Sequence, residues 1–380
     1  MAIHMNCVTV EAAALRGWLF ECALPLWWEV GADRARGGFH EAIDLDGKPL
    51  ARPHRARTIA RQAFSYGEAG RLGWRGPWRE AARHALDYFQ QHFITADATV
   101  VSVVDLDGTC RDFRFDLYDQ AFALLAYGGA HRAFGPLDGW GRQAAALRAS
   151  LEQNYAHPFG GFLEDRDGRL PQRANPHMHL LEAALAWSAL DADPGWRKMA
   201  DGIVAVCLEK LIEPKTGALR EFFAADWTPA PGILGRICEP GHHYEWAFLL
   251  DHWARLHGCE KSAAADRLIA FADAHGIDHR RGVAVNATLA DGVVHDPVAR
   301  LWAQAERIRA YLTAGRDDQI IPAIKGLRRF LATSVPGLWF DQLDDNDVFV
   351  VEPARATSLY HLIGAVSELC AAFPDAANAA

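Results

Sequence analysis

Two patterns of hydrophobic and polar residues alternate along the chain. Long segments carry apolar side chains three and four residues apart, which is helical spacing, and shorter segments alternate apolar with polar residues, which is typical of strands. The helical pattern predicts twelve helices, near residues 12–30, 55–74, 76–93, 115–134, 139–155, 177–191, 194–211, 242–257, 261–275, 298–314, 317–333 and 355–372.

The shorter segments form an internal repeat. Glycine-rich turns with strand-like flanks recur six times, over Gly37–Leu50, Ser102–Phe113, Gly160–Pro171, Gly217–Pro229, Gly282–Val294 and Gly337–Asp347. An Asp-Gly pair, or an Asp/Asn-rich counterpart, supplies the positive φ that a tight hairpin requires. We therefore predict six short β-hairpins, each between an odd-numbered helix and the next even-numbered helix.

The odd and even helices differ in how much of their surface is apolar. The even-numbered segment Met178–Trp187 is apolar nearly all round, which predicts burial on both sides, whereas the odd-numbered segment Trp78–Tyr88 is amphipathic. Six such pairs predict an all-α (α/α)6 barrel, a double-layered toroid of twelve helices. An open solenoid needs polar terminal repeats, but Ser358–Val366 in the last helix is as apolar as the others. We expect one domain over residues 1–380.

Composition and charge limit the functional classes. The chain has 39 Lys and Arg against 48 Asp and Glu, a net charge of −9, and offers no basic stripe for nucleic acid. No apolar stretch is long enough to cross a bilayer, and Met1–Val10 lacks the pattern of a signal peptide. The seven cysteines include no CxxC pair and are expected to be reduced, as in the cytoplasm. We expect a monomer or homodimer.

Residues capable of chemistry collect at the starts of the even-numbered helices. In a closed toroid these helices are equivalent, so their N-termini face one mouth and line one funnel. Helix N-termini favour ligands that are oxygen-rich or anionic. The residues concerned are Arg57, Arg61, Tyr118, Asp119, Gln120, Asn175, His177, His179, Glu182, Glu239, His242, His243, Glu245, Arg300, Trp302, Glu306, Arg355 and His361.

Two histidine–carboxylate pairs stand out among these residues. His179 precedes Glu182 by three positions, and His242 precedes Glu245 by three positions in the next repeat. This spacing places each pair on one helix face, and its recurrence favours a functional role over a structural one. His177 and His243 point elsewhere, and we predict that they cap or support the site.

Other residues allow two interpretations each. A buried Arg61 needs anionic or oxygen partners, which a ligand or an inner glutamate can supply. Trp246 and Trp302 are either core residues or platforms for a sugar face. His177 and His179 match no zinc-ligand spacing, and neither GxxxxGK[ST] nor GxGxxG occurs, so no metal and no cofactor is predicted.

Six motifs, spread over nearly the whole chain, resemble those of one family. They are Ile59–Gln62, Leu117–Phe122, Asn175–Ala183, Glu239–Trp246, Arg300–Glu306 and Leu359–His361. With them the sequence resembles the N-acylglucosamine 2-epimerase superfamily, and most of all its D-mannose isomerase branch. The resemblance implies an (α/α)6 barrel, which agrees with the repeat count.

The resemblance also implies roles for individual residues. It identifies His242 and His361 as the acid/base catalysts. It implies that the sugar is bound by Arg61, Tyr118, Asn175, His179, Arg236, Glu245, Trp302 and Glu306. The implied reaction is a metal-independent interconversion of D-mannose and D-fructose, or of close aldose and ketose relatives, through a cis-enediol or enediolate.

Three other functions stay open. A sugar 2-epimerase, of N-acylglucosamine or cellobiose type, uses the same histidines. A glycoside hydrolase or lyase on this barrel needs two carboxylates ~5–9.5 Å apart, for which Asp105, Asp116, Asp119 and Glu164 are available. A non-catalytic sugar-binding or protein-binding module is the third. A phosphorylated sugar needs cations at the mouth, where the sequence predicts only Arg52, Arg55 and Arg57.

Overall fold

The computed structural model describes residues 2–260 and 262–378. Its α-helices are α1 Ala2–Trp18, α2 Leu24–Glu29, α3 Ala56–Arg71, α4 Trp78–His92, α5 Leu117–Phe134, α6 Trp140–Asn154, α7 Ala174–Ser188, α8 Pro194–Val206, α9 Pro240–His257, α10 Ala263–His275, α11 Leu301–Ala314, α12 Asp317–Phe330, α13 Leu359–Ala372 and α14 Pro374–Asn378. A π-helical turn, Leu19–Ala23, joins α1 to α2, and α8 ends in another, Cys207–Leu211. Three 3-10 turns are Pro136–Asp138, Leu234–Arg236 and Ala356–Ser358.

The strands are only two or three residues long. They are β1 Ala42–Ile43, β2 His54–Arg55, β3 Val103–Val104, β4 Cys110–Asp112, β5 Gln172–Arg173, β6 Phe222–Phe223, β7 Ile237–Cys238, β8 Ile277–Asp278, β9 Val283–Ala284, β10 Ala287–Leu289, β11 Val294–Asp296, β12 Ala299–Arg300, β13 Gln342–Leu343 and β14 Ala354–Arg355.

The helices form two concentric rings. The inner ring consists of α3, α5, α7, α9, α11 and α13; each packs against the next, and α13 packs against α3. The outer ring consists of α4, α6, α8, α10, α12 and the α1–α2 segment. This arrangement is the predicted (α/α)6 barrel, and the predicted inner and outer assignments are confirmed. Among the described residues, no helix combines the length and hydrophobicity that a membrane span requires.

The first helix begins earlier than predicted, and a further helix follows the last one. Val8, Ala12 and Leu15 are buried and extend the apolar stripe of α1 towards the N-terminus, where it packs against α12 and α13. The short helix α14 packs against α1 as well. The two ends of the chain therefore lie together and complete the outer layer.

Strand pairing between repeats closes the ring. The strand that leads into an inner helix pairs with the hairpin of the following repeat, as β2 with β3, β5 with β6, β7 with β10 and β12 with β13. The last pair, β14 with β1, joins the sixth repeat to the first through Arg355 and Ala42. The predicted hairpins thus also connect neighbouring repeats, which the sequence pattern did not indicate.

Each predicted hairpin turn contains a residue with positive φ, as expected. Four are glycines, Gly47, Gly108, Gly168 and Gly292, whereas Asp347 has φ 69° and Trp227 has φ 63°. Trp227 holds this unfavourable conformation because its indole is buried and donates a 3.0 Å hydrogen bond to the Gly160 carbonyl.

The fourth residue of several inner helices fastens its hairpin to the helix. The side-chain amides of Gln120 and Gln304 each form two hydrogen bonds with the backbone N–H and C=O of a single residue. Gln120 binds Val100 and Gln304 binds Ala284, in each case at 2.8 and 2.9 Å. These amides satisfy backbone groups that are buried and would otherwise lack partners.

His177 and His243 occupy the same helical position and act in the same way. Nε2 of His177 accepts from the Phe162 amide, and Nε2 of His243 accepts from the Leu219 amide, each at 2.9 Å. Both rings are fully buried, and burial lowers both pKa values to about 4, so both are neutral. Their predicted supporting role is confirmed.

Replacing Gln304 with alanine tests this fastening. The Gln304→Ala variant leaves the buried amide and carbonyl of Ala284 without partners, and should lower the free energy of unfolding by about 2–4 kcal/mol. Chemical denaturation measures the loss. Gln90 is exposed on α4, and Gln90→Ala, the matched control, should cost less than ~0.5 kcal/mol. Equal losses in the two variants would show that Gln304 does not stabilise the hairpin.

Candidate active site

A cavity of about 1150 Å³ lies on the barrel axis at the end where the inner helices begin. Residues near the N-termini of all six inner helices line it, together with the loops that lead into them. The prediction that six separate sequence regions share one funnel is confirmed. This convergence follows from closure of the ring, since equivalent helices point in the same direction.

At the base of the cavity lies a floor ring built from the sixth residue of each inner helix. Its members Arg61, His179, Glu245 and His361 line the cavity, whereas Phe122 and Glu306 do not. For α13 the count starts at Ala356, in the 3-10 turn that leads into the helix. The Arg61 guanidinium lies 4.1 Å from the Phe122 ring centroid, and the Phe122 and His179 rings are 4.5 Å apart. His179 Nδ1 lies 3.7 Å from a Glu245 oxygen. The ring comprises Arg61, Phe122, His179, Glu245, Glu306 and His361.

His361 is held by Glu306. Its Nδ1 lies 2.7 Å from Oε1 of Glu306, a carboxylate that is fully buried behind the imidazole. Burial lowers the pKa of His361 well below its ordinary value, and the nearby cations Arg61 and Arg309 add to this effect. His361 is therefore neutral at physiological pH, and the ring nitrogen that faces away from Glu306 is available as a base.

His242 has the opposite electrostatic environment. Its Nδ1 lies 3.0 Å from Glu221 and 3.6 Å from Glu239. Burial alone would lower the pKa, but the two carboxylates outweigh burial and raise the pKa of His242 to about 10. The imidazole is therefore protonated and can act as an acid. Burial also raises the pKa of Glu239, to about 7.

The acidic surroundings of His242 arise from a departure from the repeat. The residue that directly precedes the inner helix is an arginine in four of the six repeats, at positions 55, 173, 300 and 355. In the fourth repeat along the chain this residue is Glu239. A glutamate here faces Glu221, the fifth residue of the hairpin segment, across the His242 ring. This comparison between repeats is the sequence signal that identifies Glu221, which the motifs alone did not.

Trp302 lies between the two histidines. Its ring centroid is 4.9 Å from that of His242 and 5.7 Å from that of His361. Trp302 lines the cavity and offers an apolar surface next to both imidazoles. Trp246, the other tryptophan considered, is fully buried and does not line the cavity.

Several polar groups face the cavity without protein partners. Within the described residues Arg61 has no carboxylate within ion-pair distance; its Nη2 donates to the Tyr118 hydroxyl at 2.5 Å, and its buried Nε has no partner. The alternative of a structural salt bridge for Arg61 is therefore wrong. The Oδ1 atom of Asn175 is also buried and has no partner. A ligand rich in hydroxyl and carbonyl groups matches these unused atoms.

A buried arginine lies beneath the floor ring. Arg309 donates to Glu306 at 2.8 Å and lies 3.5 Å from Glu182, which also accepts from the Tyr360 hydroxyl. Although burial opposes it, contacts with His179 and Arg309 lower the pKa of Glu182 to about 2. Arg309 was not predicted, because it lies in the third turn of α11. Tyr360 lies within the Leu359–His361 motif, but no role was predicted for it.

Glu245 differs from these ionised carboxylates. Its two oxygens are buried without hydrogen-bond partners, and it lines the cavity. Burial, together with the charges of Glu306 and Glu182, raises the pKa of Glu245 well above its ordinary value. Glu245 therefore carries a proton and can donate a hydrogen bond to a ligand oxygen.

Three groups of side chains in this region have the ligand types that a cation requires. In each, the candidate atoms lie within 4.8 Å of one another. Arg309 already supplies a positive charge to the acids of two groups, and protonated His242 supplies it in the third. The groups are His179–Glu182–Glu245, Glu245–Glu306–His361 and Glu221–Glu239–His242.

Two predicted sugar-binding residues do not line the cavity. Glu306 lies behind His361, as described above. Arg236 is half exposed and pairs at 2.5 Å with Asp291 on the neighbouring hairpin. The pairing of β7 with β10 places Arg236 beside that hairpin, outside the cavity. The remaining predicted residues do line the cavity: Arg61, Tyr118, Asn175, His179, His242, Glu245, Trp302 and His361.

The four acidic residues considered for glycoside hydrolysis are engaged elsewhere. None of them lines the cavity, and each forms an ion pair with an arginine. Arg57 holds Asp116 at 3.0 Å and Asp119 at 2.7 Å. Glu164 pairs with Arg173 and Asp105 with Arg111. They are not arranged as a pair of catalytic carboxylates across the funnel.

Comparison with known proteins gives a consistent set of similarities. The model of the family described as N-acylglucosamine 2-epimerase (GlcNAc 2-epimerase) matches residues 37–365. A mannose-6-phosphate isomerase of Rhizobium meliloti (strain 1021) is 41% identical over 386 residues, covering 97% of this chain and 98% of the relative. A D-mannose isomerase of Thermobifida fusca is 31% identical over 57% of each chain.

The fold is also found among solved structures. Cellobiose 2-epimerase from Spirochaeta thermophila DSM 6192 superposes with a TM-score of 0.86 and 22% identity, over 97% of this chain and 98% of that one. At this identity the similarity shows the (α/α)6 barrel.

Removing the cation beneath the floor should destabilise the protein in a pH-dependent way. In Arg309→Met, Glu182 and Glu306 lose their buried counter-charge, at a cost of about 3–5 kcal/mol near pH 8. The folded-state pKa of Glu182 then rises from about 2, and that of Glu306, which burial already raises above its ordinary value, rises further, so the loss should shrink as the pH falls through these pKa values. Urea denaturation at pH 8 and pH 5 measures the difference.

Arg307→Met is the matched control. Arg307 is buried on the same helix but donates to the Tyr311 hydroxyl and the Gly282 carbonyl instead of to carboxylates. The Arg307→Met variant should lose a similar free energy of unfolding at pH 8 and at pH 5. The same behaviour in Arg309→Met would contradict the role assigned to Arg309.

Proposed function

The chain belongs to the N-acylglucosamine 2-epimerase family, and from this premise we propose that it is a metal-independent isomerase interconverting D-mannose and D-fructose, or close aldose and ketose relatives. The supporting observation is the pair of histidines on one cavity wall, His361 neutral and His242 protonated. Groups with pKa values displaced in opposite directions are suited to act as base and acid.

The reaction begins with an open-chain aldose whose C1–C2 bond lies between these two imidazoles. His361 removes the proton from C2 while His242 donates to the carbonyl oxygen at C1, which gives a cis-enediol. Return of the proton from His361 to C1, with transfer of the O2 hydroxyl proton to His242, completes the ketose and restores both histidines to their starting protonation states. His242 also has the position and protonation state to assist ring opening.

The negative charge that develops on oxygen during these transfers needs fixed donors. Arg61, Asn175 and His179 line the cavity near His361, and Glu245 in its protonated form adds another donor. Donors of this kind that are held in place contribute about 3–4 kcal/mol each to stabilising a developing oxyanion. The Trp302 ring excludes water from the apolar side of the intermediate.

A sugar 2-epimerase is the second candidate. The observation that favours it is that a second imidazole, that of His242, lines the cavity together with that of His361, and that Trp302 lies next to both. If a second imidazole returns the proton to the opposite face of C2, the same enediol gives the epimer. The two curated relatives described above are named for isomerisation, of mannose 6-phosphate in one case and D-mannose in the other. A curated cellobiose 2-epimerase is less similar, at 24% identity, so isomerisation is the first choice.

Proton NMR in D₂O with EDTA present tests the reaction. Incubation with D-mannose or its 6-phosphate should give the corresponding ketose with deuterium at C1, because the transferred proton exchanges with solvent on His361. An epimer with deuterium at C2 would instead identify a 2-epimerase. Turnover that requires added metal would disprove metal independence, and release of reducing ends from disaccharides would identify a hydrolase.

The two histidines supply the matched variants for this assay. His361→Ala and His242→Ala should each lower kcat by at least ~10²-fold. His243→Ala is the control because His243 lies on the same helix as His242 but hydrogen-bonds only to backbone and stacks on Phe271; its kcat in the folded fraction should stay within about threefold of wild type. Near-normal turnover without His361 or His242 would remove that residue from the mechanism.

The displaced pKa values predict the pH dependence of kcat/KM. Activity requires His361 neutral and His242 protonated, so the acid limb should lie below pH 6.5 and the alkaline limb near pH 10. Glu239→Gln removes one carboxylate that raises the His242 pKa, and should move only the alkaline limb to lower pH. Glu352→Gln, at the mouth and paired with Arg355, is the control. An unmoved limb in Glu239→Gln would contradict this assignment.

A further inference from the structure

The cavity is far more basic than the sequence pattern predicted. Nine arginines line it, against five carboxylate residues, in a chain whose net charge is −9. The three arginines expected at the mouth are joined by six others that folding brings there from distant repeats. A concentration of positive charge inside one cavity of an acidic protein needs a specific explanation.

Most of these arginines are neutralised by protein carboxylates. Six of the nine have an ion-pair partner, as in Arg55 with Glu41 at 2.6 Å and Arg355 with Glu352 at 2.9 Å. The other three, Arg52, Arg61 and Arg300, have no carboxylate partner within 4.0 Å among the described residues. Their guanidinium groups therefore have hydrogen-bond donors available to a ligand, although Arg300 lies near enough to Glu239 to oppose the rise in the pKa of that carboxyl.

Arg300 lacks an ion-pair partner because the fifth repeat departs from the pattern of the other repeats. Like Arg55 and Arg173, it directly precedes an inner helix and lines the cavity. Those two arginines bind a glutamate at the fifth position of their own hairpin segment, Glu41 and Glu164. In the fifth repeat that position is Asn286.

The neutral Asn286 cannot form the ion pair. Its amide instead donates to Asp296 at 2.7 Å. Nε of Arg300 is buried and has no hydrogen-bond partner, although Arg300 lines the cavity. A buried N–H of a charged group without a partner is costly, and a bound anion would satisfy it.

The position of Arg300 along the helix separates it from the reacting atoms. It precedes α11 by one residue, whereas Glu306, behind the base His361, is the sixth residue of that helix. At 1.5 Å per residue the two backbone positions are about 9 Å apart along the helix axis. Arg61 lies at floor level with His361, so Arg300 and the exposed Arg52 remain for a group at the mouth.

We propose that the substrate is a phosphorylated sugar and that Arg300, assisted by Arg52, binds its phosphate at the mouth while the reacting carbons lie at the floor. The proposal rests on the proposed function, because it takes the floor histidines as the reacting end. A phosphate carries close to two negative charges at neutral pH and matches two unpaired guanidinium groups. The planar guanidinium also suits phosphate oxygens geometrically.

Substrate preference in matched variants tests the proposal. We would measure kcat/KM for mannose 6-phosphate, mannose and mannuronic acid. Wild-type protein should prefer the phosphate ester. Arg300→Gln should lower the ratio of kcat/KM for mannose 6-phosphate over mannose by at least about tenfold, as expected for the loss of a charged hydrogen bond. Arg300→Lys, which keeps the charge, should retain more of the preference than Arg300→Gln.

Arg355→Gln is the matched control. Arg355 occupies the equivalent position in the next repeat and lines the same cavity, but it is paired with Glu352. Its substitution should change the ratio by less than about threefold. An equal fall in the ratio for both variants would show a general field effect and overturn the assignment to Arg300.

The outcomes separate this proposal from the proposed function. Turnover of mannose without preference for the phosphate, or equal preference for singly charged mannuronic acid, would overturn the phosphate site and leave the isomerase intact. Absence of turnover on every sugar would overturn the proposed function. In that case calorimetry tests the phosphate site without turnover. Binding of mannose 6-phosphate that weakens in Arg300→Gln would support the site, and absence of binding to the wild-type protein would overturn it.

Discussion

The buried cation of Arg309 is the interaction on which the active-site floor depends. The floor and the layer beneath it contain three acidic side chains, Glu182, Glu245 and Glu306, in a region with almost no solvent. One guanidinium lowers the pKa of Glu182 and opposes the rise that burial causes in the pKa of Glu306, whereas the pKa of Glu245 rises well above its ordinary value. The carboxylate held by Arg309 orients His361. A change in that single charge would alter the protonation of the whole floor.

The two histidines that we propose as catalysts show how one repeated scaffold produces two protonation states. His361 faces arginines and one fully buried carboxylate, so it stays neutral. His242 lies between Glu221 and Glu239, because the fourth repeat has glutamate where most other repeats have arginine before the helix. His242, the third residue of its inner helix, and His361, the sixth residue of its own, thus acquire opposite protonation states, and Glu239 contributes to the difference. In the fifth repeat, Asn286 stands where other repeats have an acidic residue, so Arg300 has no ion-pair partner there.

The architecture was predictable because local sequence patterns specify it. Apolar residues at helical spacing, and turns that need positive φ, recur in every repeat, so the twelve main helices and their inner or outer placement followed from pattern alone. Pairing between β14 and β1 was not predictable. Two-residue strands carry too little side-chain pattern to specify a partner, and their pairing is decided by which hairpins the closed ring brings together.

The sequence by itself determined the barrel and most of the residues that the inner helices contribute to its cavity, since equivalent helix pairs place equivalent positions at one mouth. The lining residues of the hairpins and loops, such as Arg111, Arg114 and Glu352, were not predicted. Only the tertiary structure decided which charges there are free. Whether Arg61, Arg236 or Arg300 has a carboxylate partner depends on side chains that are distant in the chain. Electrostatic energy depends on distance in space and on burial, and local sequence specifies neither.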